Sequence, residues 1–432
     1  MSAEPQATTA LARDDRRKHQ VMNVFQTSRS SLQSPVPIQR PANRLPSGRN
    51  PLAAFVANAE TEAALRECLA QLALAHGTIT RGGIAKAIDY LAVERSPNIL
   101  IVDISGVELP VSQVHALADV CEPGVTVIAI GNRNEIGLYR DLLQAGVTDY
   151  IVKPLTAQLF ARALTVRANT GDPRPIHKKL GTMVSFVGAR GGVGATTLAI
   201  NLAWYLANRQ ARRVVLVDLD LPHGDCGFAL NIKATSGLRE ALANPARIDS
   251  ILLERAMTRV GERLFVLSCE EPLYNDVEFT GEALGTLLSV LREQFHYVIV
   301  DVPRIPAAPY RRALNSANFR VIVADQTLRS VRDTVRLRAA LRESDGAHRN
   351  LLVINRHGES GRRGVTLDEI HKVLELRPQS VSPFQPTLFA TVTGEALIAA
   401  ARRGRFTDAI EALALELSGR PPERRRWWRF VK

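Results

Sequence analysis

From Pro51 onward, short apolar runs alternate with stretches of helical periodicity. LAAFVA (52–57), ILIVDI (99–104), VTVIAI (125–130) and DYIVKP (149–154) have the length of buried strands. Helical patterns over 60–75, 83–94, 111–120 and 135–144 lie between them. Such alternation predicts a parallel sheet covered on both faces. The segment 169–180, ANTGDPRPIHKK, contains Gly, two Pro and no apolar period, and reads as a linker. The rhythm then resumes with TMVSFVG (182–188), RVVLVDLD (213–220), LFVLS (264–268), YVIVD (297–301), FRVIVAD (319–325) and NLLVIN (350–355), ending in a helix over about 394–418. The expected fold class is α/β, with a smaller doubly wound domain at 51–168 and a larger one at 181–418.

The two ends depart from this pattern. Residues 1–50 are polar and rich in Ser, Pro, Gln and Arg, so they are expected to be a disordered basic segment. Residues 419–432 form a short basic tail that carries Trp427, Trp428 and Phe430. Of the net charge of +12, each end holds +5, which leaves +2 for residues 51–418. Basicity confined to the ends favours contact with an anionic surface over a nucleic-acid-binding body. Arginines interleaved with aromatic rings suit a membrane headgroup region or docking onto protein, and both readings stay open.

Composition narrows the remaining classes. A hydrophobic content of 46% and a charged content of 23% are ordinary for a globular chain. No run of about 18 apolar residues predicts a membrane span. The N-terminus lacks the apolar core of a secretory signal, so a cytoplasmic location is expected. The four cysteines are scattered without a CxxC pair, which argues against a zinc ribbon, an iron–sulfur centre or a disulfide scaffold.

The strongest chemical signal is Gly188-Ala189-Arg190-Gly191-Gly192-Val193-Gly194-Ala195-Thr196-Thr197, placed after an apolar run and before an amphipathic helix at 198–208. Glycines let peptide N–H groups converge on a phosphate, and a helix N-terminus adds partial positive charge. Downstream, Asp218-Leu219-Asp220 closes one strand, and Asp301, followed by Val302-Pro303, closes another. Strand-end carboxylates beside a phosphate loop are what a Mg²⁺·nucleotide site requires.

The order RGGVG-A-TT resembles the deviant Walker A motif of the MinD/ParA ATPases, KGGVGKTT, within the P-loop NTPases of the SIMIBI type. That resemblance implies ATP and Mg²⁺ as cofactors. Gly191, Gly192, Val193, Gly194, Ala195, Thr196 and Thr197 would hold the phosphates, and Thr196, Asp220 and Asp301 the metal. Asp220 would orient water. Arg190 stands where the family has a Lys that reaches the partner's phosphates across a nucleotide-sandwich homodimer. Arg keeps the charge in a planar fork, so the exchange is not equivalent. Asn355, Arg356 and Pro383 match positions beside the base. Ala195 replaces the P-loop Lys, so weak or absent hydrolysis is expected and enzyme activity is left open.

Residues 51–168 resemble a flavodoxin-like response-regulator receiver. Asp103 stands at the phosphoacceptor position and Lys153-Pro154 at the family's Lys-Pro. Ala57-Asn58 replaces the acidic pair and Gly131 the hydroxyl residue, so Asp103 is expected to be inactive as a phosphoacceptor. A degenerate receiver joined to such an ATPase resembles the CpaE/TadZ family over about 51–418. The implied function is an ATP-dependent dimerising switch that localises the Flp/Tad (tight-adherence) pilus machinery at a cell pole. Its implied partners are components of that machine, such as the secretion ATPase, with peripheral contact to the inner membrane through the tail and no nucleic acid. The alternative is a ParA/MinD-like positioning ATPase for cell division or DNA partition.

Overall fold

The computed structural model describes residues 49–72, 74, 77–169, 180–233, 235–272, 278–342, 348–385 and 403–418. The basic segment expected at 1–50 falls outside them except at its last two residues. Most of the linker and the whole tail also lie outside the described residues.

Strands β1 (Leu52–Val56), β2 (Thr78–Arg81), β3 (Ile99–Asp103), β4 (Thr126–Gly131) and β5 (Asp149–Val152) form one sheet in the order β2-β1-β3-β4-β5. All pairings in it are parallel. This is the order of the flavodoxin-like doubly wound fold. Apolar cores cover both faces, one around Phe55, Leu100 and Val102, the other around Ala54, Ile101 and Phe160. Burial on both sides explains why β1, β3 and β4 read as unbroken apolar runs.

The second sheet contains β6 (Thr182–Gly188), β7 (Val214–Asp218), β8 (Thr258–Val260), β9 (Leu264–Leu267), β10 (Tyr297–Asp301), β11 (Phe319–Ala324), β12 (Arg349–His357) and β13 (Ser380–Pro383). Its order is β13-β12-β11-β6-β10-β7-β9-β8, with β8 antiparallel to β9 and every other pairing parallel. Strand β6 lies between β10 and β11, so chain order reverses around it. In an open α/β sheet that reversal places the ligand crevice at the C-terminal end of the central strand.

Three strands went unread in the sequence: β2, β8 and β13. Each is a sheet edge, and an edge strand needs no continuous apolar run. Two helices also shift. The helix expected from 198 begins at Ala195, and the last helix spans Arg405–Leu417. Gly404, at φ 168°, is extended just before that last helix, so no single helix runs from 394 to 418.

Candidate functional site

The loop after β6 is held open by β12. Gly194 begins the helix Ala195–Asn208 in the left-handed region, at φ 87°. A Cβ at Gly194 would lie 2.5 Å from Asn355 Nδ2, so glycine is required there on two grounds. Asn355 is buried and donates from Nδ2 to the Val193 carbonyl at 2.8 Å. Arg356, at φ 57°, donates from Nη1 to the Gly192 carbonyl at 2.9 Å. Two loop carbonyls are thus taken by side chains of β12. Among the described residues, the N–H groups of Gly191, Gly192, Val193 and Gly194 donate to no protein acceptor. Unpaired donors at a helix N-terminus form a seat for an anion such as a phosphate.

Beside this seat stand two buried carboxylates. Asp218 ends β7 and Asp301 ends the neighbouring β10, and the two are paired in register. A carboxylate oxygen of each and the Cys226 Sγ all lie within 4.8 Å of one another. Asp218 accepts the N–H of Asp220 and of Cys226, both at 3.1 Å, and the Cys226 thiol. Asp301 accepts the Thr196 hydroxyl. Neither carboxylate has a basic partner among the described residues. Burial pushes Asp218 up to about 6. Burial, reinforced by Asp218, pushes Asp301 up to about 7. Two carboxylates in so dry a place require a positive charge to ionise together. Thr196, Asp218 and Asp301 therefore fit a divalent cation next to the phosphate seat.

Of the two carboxylates in Asp218-Leu219-Asp220, it is Asp218 whose side chain clusters with Asp301. The Asp220 side chain is 32% exposed and accepts the His223 N–H at 3.2 Å. The signal for Asp218 was in the sequence, since it is the last residue of an apolar run and so the one at the buried strand end. Arg190 pairs with buried Asp325 of its own chain. To reach across to a partner it must leave that carboxylate. Asn355 and Arg356 buttress the loop through these carbonyls, and Pro383 ends β13 beside His357 of β12. The sequence reading also missed Arg304, which donates to the Ala189 carbonyl at 2.6 Å and reaches Asp333 at 3.1 Å.

The first sheet has a site at its own C-terminal edge. Asp103, 1% exposed, receives Lys153 Nζ at 2.8 Å, the Ala57 N–H at 3.1 Å and the Ser105 N–H at 2.9 Å. Burial opposes its charge, but these donors, Lys153 foremost, outweigh it and hold the carboxyl below the usual range. Lys153 also donates to Thr61 at 2.7 Å. Asn58 caps the helix Ala59–Gln71 instead of offering a carboxylate to the site. At Gly131 a Cβ would lie 2.3 Å from the Tyr150 hydroxyl, so Tyr150 fills the space that a hydroxyl residue would need.

Residues 181–350 match the AAA_31 family, an AAA domain. The septum site-determining protein MinD of Synechocystis sp. is 30% identical over 169 residues, which is 39% of this chain and 61% of that protein. The chain thus spans less than two thirds of that relative's length. A ParA family ATPase from Chlorobium tepidum superposes with a TM-score of 0.50 at 23% identity, covering 55% of this chain and 98% of the other. A CpaE pilus assembly protein from Caulobacter crescentus is 30% identical over 27% of this chain and 97% of its own, with a TM-score of 0.25. The segment 181–350 matches the AAA domain model and is similar in sequence to the MinD and ParA proteins.

Proposed function

We propose that this protein is a nucleotide-dependent switch that binds Mg²⁺·ATP in the loop 188–197, dimerises on doing so, and localises the Flp/Tad pilus assembly machinery at a cell pole. The observation that carries the nucleotide reading is the juxtaposition of the unpaired N–H groups of 191–194 with a buried carboxylate pair that has no basic side-chain partner among the described residues. The pilus reading rests on the sequence resemblance of the joined domains. In this reading the loop amides hold the phosphates, and Thr196, Asp218 and Asp301 hold Mg²⁺. The bound cation would neutralise charge on the phosphate oxygens. Arg190 leaves Asp325 to meet a second copy. Ala195 contributes no charge, so hydrolysis is slow.

Calorimetry with Mg²⁺·ATP, paired with sizing in ATP and in ADP, tests the switch. Absence of binding at millimolar nucleotide removes its basis. Ala195→Lys raises turnover by about tenfold or more if that missing charge is what limits it.

The second reading is a positioning ATPase for cell division or DNA partition, as the names of the matched MinD and ParA relatives suggest. One observation favours it. The helix Leu328–Arg342 holds five arginines and one acid, with Arg329, Arg332 and Arg336 exposed. The small net charge of the body thus conceals one strongly basic element. Salt-dependent DNA binding that Arg332→Glu abolishes would favour partition over pilus positioning.

A further inference from the structure

The 49–169 segment and the AAA domain meet at the N-terminal ends of their strands, away from both carboxylate edges. The first sheet contributes Arg49, Arg95 and Cys121-Glu122, which lie just before β1, β3 and β4. The second contributes Arg213, Arg263 and His296, each immediately before β7, β9 or β10.

The centre of the junction is an ionic cluster. The Glu122 carboxylate, 7% exposed, lies 3.1 Å from Arg49, 3.8 Å from Arg95 and 3.7 Å from Arg213. Arg95 also reaches Glu254 at 3.2 Å. Arg213 is stacked with its Cζ 4.8 Å from the ring centroids of both Phe265 and Phe295. The Nε atoms of Arg95 and Arg213 and Glu122 Oε2 are buried without a hydrogen bond among the described residues. A buried, incompletely satisfied charge cluster contributes little net stability, and its geometry is demanding.

His296 joins the two sides. Its Nδ1 accepts the Arg213 N–H at 3.1 Å, so the ring proton is on Nε2, which donates to the Cys121 carbonyl at 3.1 Å. Arg263 donates to the Val93 carbonyl at 2.9 Å. Arg213 enters β7, which ends at Asp218, and His296 enters β10, which ends at Asp301. Of the three strands that anchor the junction, β7 and β10 carry the buried carboxylates, and they pair with each other along their whole length.

We propose that docking of residues 49–169 onto this face is energetically coupled to occupancy of the nucleotide site through β7 and β10. This rests on the reading of that site as one for Mg²⁺·nucleotide. A shift of either strand that tightens Asp218 or Asp301 on a cation moves Arg213 or His296 against Glu122 and Cys121. Because linkage is reciprocal, nucleotide changes docking by the factor by which docking changes nucleotide affinity.

The test uses the full chain and Glu122→Gln, with Arg263→Met as a second way to open the junction if the first variant folds poorly. Hydrogen–deuterium exchange is read in the nucleotide-free protein, and Mg²⁺·ADP affinity is measured by calorimetry. Coupling predicts faster exchange in β7 and β10 than in wild type, unchanged exchange in β12, and an affinity change of about fivefold or more. Exchange that rises only within 49–169, or an affinity within about twofold of wild type while the junction is open, overturns it. If wild type binds no nucleotide, the nucleotide reading fails by itself. The exchange arm then decides whether β7 and β10 sense the junction.

Discussion

Asp103 and Asp301 occupy equivalent places, each the last residue of an interior parallel strand and each buried, yet their surroundings impose opposite chemistry. Asp103 has its cation built in, because Lys153 and two peptide N–H groups satisfy it and keep it ionised. Asp301 and its neighbour Asp218 have only a hydroxyl, a thiol and two N–H groups, and burial drives both toward the protonated form. The first edge is complete within the chain. The second has no basic partner among the described residues, and the unpaired amides next to it form a seat that suits an anion.

The comparison breaks most sharply at Lys153. Lys153→Met leaves Asp103 buried without its cation and should cost about 3 kcal/mol or more, read by urea unfolding at neutral pH. Asp103 has a folded pKa below its unfolded value, so its contribution is present above roughly pH 4 and lost as pH falls through the depressed value. The penalty of the variant should therefore shrink in acid. An equal penalty at all pH values would show that Lys153 acts through packing alone.

Asp301→Asn sharpens the other side. It should weaken Mg²⁺-dependent nucleotide binding by about 100-fold, with nucleotide binding in EDTA changing little. It should also stabilise the nucleotide-free chain at neutral pH, because a buried charge is removed. A variant that binds Mg²⁺·ATP as wild type does would place the cation elsewhere.

A smaller effect follows from pH. Asp218 and Asp301 are raised to about 6 and about 7, so between roughly pH 4 and pH 7 the native state holds protons that the unfolded state has released. Their contribution to the stability of the nucleotide-free chain should fall as pH rises through that window. Saturating Mg²⁺·nucleotide should remove the decline. Melting curves across pH for wild type and the double variant Asp218→Asn with Asp301→Asn check the sign, since the double variant should lose the slope.

The smallest expected effect is none. Incubation with acetyl phosphate and Mg²⁺ should leave Asp103 unmodified in intact-mass spectra, because Lys153 and backbone donors occupy the carboxylate and no acidic pair stands beside it. A phosphorylated Asp103 would contradict the closed description of that edge.

The sequence by itself determined the interior strands, the phosphate loop and the positions of Asp103, Lys153 and Asp301, because each of those signals is local. Strands buried on both faces are continuous apolar runs, and the glycines of such a loop lie within a few residues of one another in the chain. The sequence also showed that Ala57-Asn58, without a carboxylate, follow β1. The tertiary structure alone decided the rest. Edge strands β2, β8 and β13 are defined by the neighbour they pair with, so their own residues carry little signal. The apolar run marks Asp218 as the buried strand end, but the register against β10 that sets it beside Asp301, while Asp220 stays partly in water, belongs to the fold. Asn355 and Arg356 gain their roles from the approach of β12 to a loop some 160 residues away in the chain. The docking of Glu122 among three arginines joins segments from opposite domains, and no local pattern encodes it, because the energy of a buried charge depends on which partners the fold brings within a few ångströms.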